Sequence, residues 1–521
     1  MPAAAAPFPY RRPPEIGLGS PARAPVLIVG AGPVGLSAAI DLALQGVASI
    51  VCDDSDRVST GSRAICWAKR TLEIFDRLGV GSRMVAKGVT WKVGRLFHRA
   101  CEVHAFNLLP QGGHKMPAFI NLQQYYVEHF LVERCADFAG LIDLRWKNRV
   151  ASVTQTPGVA NARVETPDGG YDIQADYILA CDGAGSSVRA GLGLDFSGQE
   201  FEERFLIADI AMHAAFPSER WFWFEPPFHD GESALLHKQP DGIYRIDLQL
   251  GPRADPALER QPERVTARIK AMLKERPFEL DWVSVYAFQC RRLERFVHGR
   301  VIFAGDSAHV VSPFGARGGN GGIQDVDNLC WKLAATLRGD AGAGLLATYD
   351  EERGRAADEN IRQSSRATRF MSPQGPRVRA FRDAVLELAA QSPFARALVN
   401  SGRLSQPCSL TGLSLQTPAE GDGIAPGTPC PDAPQGDGWL LDTLGNRFAL
   451  LAIGEAAVPE CGLPVVHATS AEARARYGDA TVSLIRPDQH VAARFRRPAL
   501  KDIRAAHACA LGHAGPDTAR Q

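Results

Sequence analysis

The chain has 521 residues, enough for two or three domains with sizeable cores, and its 45% hydrophobic and 22% charged residues are typical of globular proteins. Its 58 Lys and Arg balance 58 Asp and Glu, so no electrostatic footprint indicates nucleic acid or an anionic membrane as a partner. No apolar run reaches the length of a membrane span, and the 11 cysteines show neither a C-x-x-C pair nor metal-ligand spacing. We therefore expect free thiols in a reducing cytoplasm and no metal site.

The first residues are rich in Pro and Ala and lack the long apolar core of a signal peptide. Such a composition buries too little apolar surface to fold by itself. It predicts a disordered tail over residues 1–24.

A β-branched apolar run then ends in the glycine-rich turn GAGPVG. Gly30 permits the tight turn, Gly32 lets the backbone approach a pyrophosphate, and Gly35 lets the next helix pack close to the strand. Pro33 opens that helix, whose N-terminus would hold the phosphates. A second apolar run ends at Asp53, 18 positions after Gly35, where a carboxylate would accept hydrogen bonds from an adenosine ribose. The pattern predicts a dinucleotide-binding βαβ unit.

Helices and strands follow in mixed order. Helical spacing of apolar residues predicts a helix that ends at Gly79 and another over residues 124–138. Strands are predicted over residues 149–156, 162–166 and 171–180. The last of these delivers Asp182 and Gly183 at its C-terminal end, where ligands of open α/β sheets bind.

Residues 204–290 alternate like strands, and Asp241-Gly242 is a hairpin signal. Pairing across a two-residue turn places His237, Gln239 and Tyr244 on one mostly apolar face. The other face would then carry Lys238, Arg245, Asp247 and Gln249 and serve as a solvent-exposed or ion-paired surface. The first face has the composition of a small-molecule pocket, and equally that of a core face with a buried histidine.

The chain then returns to an α/β pattern. A strand over residues 299–304 leads into Gly305 and Asp306, and a second glycine-rich loop opens a helix over residues 322–337. Helix again dominates up to residue 404. The Pro- and Gly-rich residues 405–435 indicate a linker, and short strands beyond residue 439 indicate a separate small domain.

Three motifs now stand in order: GAGPVG at 30–35, CDG at 181–183, and GDSAH at 305–309 with PFGARGGN at 313–320. Together they resemble the single-component FAD-dependent aromatic hydroxylases of the p-hydroxybenzoate hydroxylase fold. The chain looks most like the branch of phenol hydroxylases and 3-(3-hydroxyphenyl)propionate hydroxylase, which carries a C-terminal thioredoxin-like domain.

The resemblance implies an α/β fold with interleaved domains. A Rossmann-like FAD-binding domain of the glutathione-reductase type would comprise residues 25–203 and 296–404, with a β-sheet substrate domain over residues 204–295 between them. The linker of residues 405–435 would lead to a thioredoxin-like α/β domain over residues 436–510. Without a C-x-x-C pair this last domain should not do disulfide chemistry and would serve for packing or homodimer contacts.

The resemblance also assigns roles to residues. Asp306 would hold the ribityl hydroxyls, Arg63 and Gln124 would contact the cofactor near its phosphates and ribityl chain, and Asp182 is linked to NAD(P)H use. Arg317 stands where many members have Gln, so contacts or charge beside the flavin are expected to differ. The implied FAD-binding residues are Gly30, Gly32, Pro33, Gly35, Asp53, Arg63, Gln124, Asp182, Gly183, Gly305, Asp306, Gly318, Gly319 and Asn320.

The implied chemistry is ring hydroxylation. NADH or NADPH would reduce FAD, dioxygen would add to give a flavin C4a-hydroperoxide, and its distal oxygen would pass to a small phenolic substrate. His237, Gln239, Tyr244 and Pro313 are the expected substrate contacts, with His237 and Tyr244 as candidates for activating the phenol. His309 is a further candidate base, although its place in a cofactor-binding loop favours a structural role.

Two other functions stay open on the sequence. The first is a FAD enzyme of this fold that catalyses epoxidation, halogenation or reduction of a non-aromatic substrate, because a fold does not determine one function. The second is a flavin-binding protein without catalysis.

Overall fold

The computed structural model describes residues 6–61, 63–214, 216–229, 232–274, 276–399, 404–419 and 423–513. Two eight-stranded sheets and a four-stranded sheet organise this part of the chain. The first sheet belongs to the predicted FAD-binding domain, the second to the predicted substrate domain, and the third to the C-terminal domain.

Residues up to 191 form eleven strands and five helices. The strands are β1 Ala22–Val29, β2 Ser49–Asp53, β3 Cys66–Ala68, β4 Val89–Trp91, β5 Val93–His98, β6 Cys101–Asn107, β7 Phe119–Asn121, β8 Ile142–Trp146, β9 Arg149–Gln155, β10 Ala160–Thr166 and β11 Gly169–Ala180. The helices are α1 Pro33–Leu44, α2 Lys69–Arg77, α3 Gly81–Lys87, α4 Gln124–Ala136 and α5 Ser187–Gly191.

The remaining elements complete the substrate sheet, the helical part and the C-terminal domain. The strands are β12 Ser197–Ala211, β13 Arg220–Phe224, β14 Ser233–Lys238, β15 Ile243–Leu250, β16 Glu279–Arg292, β17 Val297–His298, β18 Val301–Phe303, β19 His309–Val310, β20 Pro434–Gln435, β21 Gly438–Trp439, β22 Ala449–Ile453, β23 Val465–Ala468, β24 Val482–Ile485 and β25 Val491–Phe495. The helices are α6 Pro256–Glu259, α7 Pro262–Leu273, α8 Gly318–Arg338, α9 Ala347–Met371, α10 Pro376–Ala389, α11 Pro393–Leu398, α12 Leu440–Leu444, α13 Ala471–Tyr477 and α14 Leu500–Ala510, with a 3₁₀ turn over Gly305–Ser307.

A parallel sheet forms the centre of the FAD-binding domain. Its path runs β17-β18-β11-β1-β2-β8, and the strands from β18 to β8 are parallel. Gly30 has φ 101°, and a Cβ on Gly35 would lie 1.9 Å from the Gly30 carbonyl oxygen. Only glycine therefore allows α1 to approach β1 so closely, as the sequence predicts.

The substrate sheet draws strands from outside its predicted boundaries. Its order is β19-β16-β12-β15-β14-β13-β5-β6. The assignment of residues 93–107 to the FAD-binding domain is wrong, because β5 pairs in parallel with β13, and β6 pairs with β5. The alternating burial of β5 lets one of its faces join the core of this sheet. Residues far apart in sequence thus share one sheet.

The predicted hairpin register is wrong by one residue. Lys238 pairs with Tyr244 and His237 pairs with Arg245, so residues 240–242 form a three-residue loop rather than a two-residue turn. Asp241 and Gly242 both take left-handed conformations, with φ 62° and 70°. Because side chains alternate along a strand, one extra loop residue exchanges the two faces of β15 relative to β14.

The predicted tail is packed wherever it is described. Phe8 stacks on Trp146 with ring centroids 4.6 Å apart, and its N–H donates to the Asp56 carbonyl over 2.6 Å. Glu15 forms an ion pair of 3.0 Å with Arg145. The prediction of disorder over residues 1–24 is therefore wrong for residues 6–24, because a few anchoring side chains compensate for a composition rich in Pro and Ala. Residues 1–5 lie outside the described residues.

The described residues of the predicted linker, 405–419 and 423–435, are also packed, although they form no helix or strand before Pro434. The Ser405 N–H donates to the Gly315 carbonyl over 2.8 Å, and Leu415 is buried. The mixed four-stranded sheet that follows, β23-β22-β24-β25, carries helices as an α/β domain should. No described helix combines the length and apolar character needed to cross a membrane.

A fully buried ion cluster joins the C-terminal domain to the helices. Arg486 donates to both carboxylate oxygens of Glu352 over 2.6 and 2.9 Å, and Lys332 donates to the same carboxylate over 2.8 Å. All three side chains have no exposed surface. Burial opposes ionisation, but the two cations still lower the pKa of Glu352 well below its usual range.

We predict that Glu352→Gln destabilises the protein strongly. The substitution removes the carboxylate that two buried cations share and leaves Asp488 as the remaining partner of Arg486, and breaking a buried pair in this way costs about 3–5 kcal/mol. Urea denaturation measures the change in the free energy of unfolding. Asp358→Asn is the control, because Asp358 pairs with Arg292 at the surface and such a pair contributes about 1 kcal/mol or less. Equal effects of the two substitutions would contradict the role of the buried cluster.

Candidate active site

A cavity of about 710 Å³ lies at the carboxyl ends of β1, β2 and β11. The predicted FAD residues line this cavity, with the exception of Gly35, Gly305 and Asn320. The cavity reaches from the βαβ turn to the start of α8. The topology thus brings the three separated motifs to one site.

Gly32 forms the phosphate end of the cavity. It caps the N-terminus of α1, and a Cβ placed on it would meet no atom within 4 Å. The free N–H groups of the first helical turn and the positive end of the helix dipole are at this position. This cradle therefore fits a pyrophosphate.

Asp53, the predicted ribose contact, lines the same cavity. Its carboxylate accepts hydrogen bonds from the Ala31 N–H over 2.6 Å and from the Ser55 N–H over 2.8 Å. Burial raises the pKa of Asp53, and the two N–H groups oppose that shift. Each oxygen keeps a further lone pair for a ribose hydroxyl.

Gln124 and Arg63 line the middle of the cavity. The Gln124 side chain accepts from the Ala64 N–H over 3.2 Å and donates to Glu128 over 2.7 Å. Glu128 also accepts from the Ser59 N–H over 2.5 Å. The Glu128 carboxylate lines the cavity and connects the loop before β3 to α4. Glu128 was not among the predicted site residues, and its position four residues after Gln124 is the one sequence signal for this role.

Asp182 offers an unused acceptor to the cavity. One of its carboxylate oxygens accepts from the Val188 N–H over 3.1 Å. The other oxygen, Oδ1, is buried and has no hydrogen-bond partner among the described residues. The neighbouring Gly183 has φ 79°, which favours glycine. A buried acceptor of this kind fits a ligand that donates a hydrogen bond.

Asp306 lies on the cavity wall, and its side chain is accessible. The surrounding protein nevertheless desolvates its carboxyl group and so raises its pKa. The turn that carries it is held from behind. Asp325 of α8 accepts from the Gly305 N–H over 3.0 Å and contacts His309 Nε2 over 2.6 Å and Arg353 Nε over 2.7 Å. His309 is buried in this network and Gly305 bends the turn, so both support the site from outside the cavity wall.

The N-terminus of α8 forms the end of the cavity at which the flavin is predicted to bind, called here the flavin end. Gly318 and Gly319 line it, and the first N–H groups of the helix lie there. Asn320 acts through its side chain instead: it accepts from the Ala68 N–H and donates to the Cys66 carbonyl, both over 2.9 Å. Arg317 is buried and donates to Asn360 over 2.7 Å, so its side chain is engaged by α9.

These residues fit FAD. The phosphate cradle, the two carboxylates at the sugar positions and the helix N-terminus correspond to the pyrophosphate, the hydroxyls and the electron-rich edge of the flavin. FAD would be held by the residues that line the cavity, with Gly35, Gly305 and Asn320 holding the elements in place.

The substrate sheet presents a row of buried polar residues to segment 63–68. Asp209, Arg245, His237 and Arg220 lie opposite one another on four neighbouring strands. Arg245 pairs with Asp209 over 3.0 Å and donates to the Arg63 carbonyl over 2.8 Å.

His237 is at the centre of this polar row. Its Nδ1 lies 4.0 Å from the Cys66 Sγ. Burial, followed by the charges of Arg220 and Arg245, lowers the pKa of His237 well below its usual range. The imidazole is therefore neutral at physiological pH and is suited to hydrogen bonding rather than to carrying charge.

The other predicted substrate residues differ in their placement. Tyr244 lies on the opposite face, where its hydroxyl donates to the Ala214 carbonyl over 2.8 Å, so the prediction of a substrate contact is wrong for this residue. Gln239 remains on the polar face and donates to Asp209 over 3.3 Å. Pro313 is exposed in the turn before α8, and its contact with a substrate stays a prediction.

Comparison with known proteins agrees with this site. The sequence profile of the FAD binding domain family matches residues 23–364, and the chain belongs to this family. It is 28% identical over 456 residues to a 3-(3-hydroxy-phenyl)propionate/3-hydroxycinnamic acid hydroxylase of Mycolicibacterium smegmatis, covering 84% of this chain and 80% of the relative. It is also 28% identical over 423 residues to a 12-dehydrotetracycline 5-monooxygenase/anhydrotetracycline 6-monooxygenase of Streptomyces rimosus, covering 78% and 80%.

Solved structures show the same fold. The flavin-dependent monooxygenase PieE, solved with FAD and substrate, superposes with a TM-score of 0.78 at 23% identity, over 95% of this chain and all of that one. RebC soaked with K252c gives a TM-score of 0.76 at 26% identity, with the same coverage. The predicted fold and the predicted class, an FAD-dependent aromatic monooxygenase, are confirmed.

We predict that Gly32→Trp abolishes FAD binding and leaves the fold intact. A Cβ on Gly32 would meet no protein atom within 4 Å, and the bulky indole would extend from there into the phosphate cradle. The flavin absorbance of the purified protein measures occupancy, and circular dichroism monitors the fold. Gly46→Asn is the control: Gly46 follows α1 with φ 76° and open space around it, and Asn tolerates that conformation. Full flavin content in Gly32→Trp would disprove the placement of the pyrophosphate.

Proposed function

We propose that this protein uses NADH or NADPH and dioxygen to hydroxylate a phenolic ring. The proposal depends on the position of the buried polar row of the substrate sheet. This row contacts segment 63–68, which begins at the wall of the FAD cavity. Arg245 bonds to Arg63 on the cavity wall, and His237 lies beside Cys66. A ring held against this row would lie next to the flavin end of the cavity.

FAD, when bound, supplies the activated oxygen that protein side chains cannot provide. The protein binds and orients the ring and excludes water from it. The neutral His237 imidazole is suited to hydrogen-bond the phenol hydroxyl. The rings of Phe205, Phe288 and Phe314 pack against each other with centroids 4.9–5.6 Å apart and form an apolar wall from the sheet to the loop before α8.

The relatives indicate phenols as the substrates to test first. The decisive experiment measures NADH and NADPH oxidation with 3-(3-hydroxyphenyl)propionate, 4-nitrophenol and anhydrotetracycline, with mass spectrometry of the products. We expect at least one phenol to accelerate oxidation and to gain one oxygen atom. Oxidation without any oxygenated product, or product only from non-aromatic compounds, would contradict ring hydroxylation. Flavin that no nicotinamide reduces in the presence of any ligand would indicate a non-catalytic role.

Cytoplasmic location and a homodimer stay predictions from the sequence. Size-exclusion chromatography with light scattering tests the second. Neither affects the placement of the site, which the described residues of one chain form.

We predict opposite outcomes for two neighbouring substitutions. His237→Leu should lower the ratio of hydroxylated product to hydrogen peroxide, because leucine cannot make the hydrogen bond that orients the ring. Tyr244→Phe should leave that ratio unchanged and reduce stability by about 1 kcal/mol, the value of one hydrogen bond. Product and peroxide are quantified for both variants with the accepted phenol. The reverse result would mean that Tyr244, rather than His237, faces the substrate.

A further inference from the structure

Asp247 lies on the face of the substrate sheet that the register brings towards the flavin. It is directly opposite Leu235 of β14 and Ile207 of β12, one row from His237 and Arg245. Leu235 packs in the same apolar cluster as Phe314, which precedes α8, so this face points towards the FAD-binding domain.

Within the part of the chain that the structure describes, the Asp247 carboxylate has no bonding partner. It makes no hydrogen bond and no ion pair with any residue in the described part of the chain, and its Oδ1 is buried. Its side chain nevertheless keeps some accessible surface, whereas the paired Leu235 and the neighbouring Arg245 are buried. The accessible part of the carboxylate therefore lies on the sheet face that is turned towards the FAD-binding domain.

Charged groups surround Asp247 without bonding to it. Burial raises the pKa of Asp247 to about 6; Arg245 lowers it, Asp209 raises it and Arg220 lowers it. His237 lies on the same face, and Cys66 of β3 faces it from the FAD-binding domain. Burial raises the pKa of Cys66 to about 12, so the thiol is protonated.

A purely structural role does not account for this arrangement. Two arginines lie close enough to influence the carboxyl, yet Arg245 is bonded to Asp209 instead. A buried carboxylate oxygen without a partner destabilises the folded state. Residues that cost stability in this way are found where function requires them.

We propose that Asp247 is the base that accepts the proton of the substrate hydroxyl. The proposal rests on the proposed function and names the activating group for it. The phenol O–H bond breaks, its electron pair stays on the phenol oxygen, and the proton binds an Asp247 carboxylate oxygen. No atom changes oxidation state in this step. The positive charges of Arg220 and Arg245 stabilise the negative charge that develops on the ring oxygen, and neutral His237 orients it.

The first test compares Asp247→Asn with the wild type, using whichever of the three phenols above is accepted. We expect kcat/KM to fall about 100-fold or more, the range for loss of a general base. The wild-type profile should decline below pH 6 and this decline should disappear in Asp247→Asn, whereas Asp247→Glu should retain an acidic decline. Glu263→Gln, on the exposed side of α7, is the matched control and should behave like the wild type. An unchanged rate and an unchanged acidic decline in Asp247→Asn would overturn the proposal.

A second measurement needs no substrate. The folded pKa of Asp247 is raised above the unfolded value, so its ionisation destabilises the folded protein as the pH rises through about 6. Asp247→Asn should therefore raise the melting temperature at pH 8, and the increase should shrink at pH 5. A lower melting temperature at pH 8 would overturn the proposal, because Asp247 would then be a counter-ion of the arginines. Failure of the proposed function is distinguishable, since it would leave the wild type without any oxygenated product.

Discussion

The flavin half of the site depends on the hydrogen bonds and ion pairs of one carboxylate, that of Asp325. This fully buried carboxylate on α8 receives the Gly305 N–H, His309 and Arg353, and so joins the 3₁₀ turn, β19 and α9 to the helix whose N-terminus faces the flavin. Burial alone would raise the pKa of Asp325, but the charges of His309 and Arg353 lower it below its usual range. The carboxylate therefore stays ionised across physiological pH, and the turn that presents Asp306 is held in one geometry.

The same helix, α8, also contacts the C-terminal domain through a shared ion cluster. Lys332, two turns beyond Asp325, shares the Glu352 carboxylate with Arg486 from the loop after β24. Buried pairs of this kind add little net stability compared with apolar residues, but they tolerate only one arrangement of their partners. We infer that the C-terminal domain, which has no C-x-x-C pair, fixes the position of α8 and α9 relative to the rest of the FAD-binding domain.

Local motifs could be predicted from the sequence because each depends on a few adjacent residues. Gly30, Gly32 and Asp53 function within one βαβ unit, and their conformations follow from turn geometry and spacing. Packing of the tail through Phe8 could not be predicted, since it depends on a partner more than a hundred residues away. The placement of β5 in the substrate sheet was missed for the same reason. The role of Asp325 was not predicted, because an acidic residue within a helix has no local sequence pattern that indicates its partners.

The hairpin shows how one residue changes the chemistry assigned to a surface. An Asp-Gly pair is compatible with loops of two or three residues, and here Asp241 of the three-residue loop contacts Lys87 and Tyr126. The three-residue loop places Tyr244 in an apolar cluster with α7 and places Arg245 and Asp247 on the face of His237, which is turned towards the FAD-binding domain. The apolar cluster of Tyr244 with α7 buries the hydrophobic surface that stabilises the sheet. The near face can therefore hold a neutral histidine, two arginines and an unbonded carboxylate, a combination that costs stability and is suited to moving a proton.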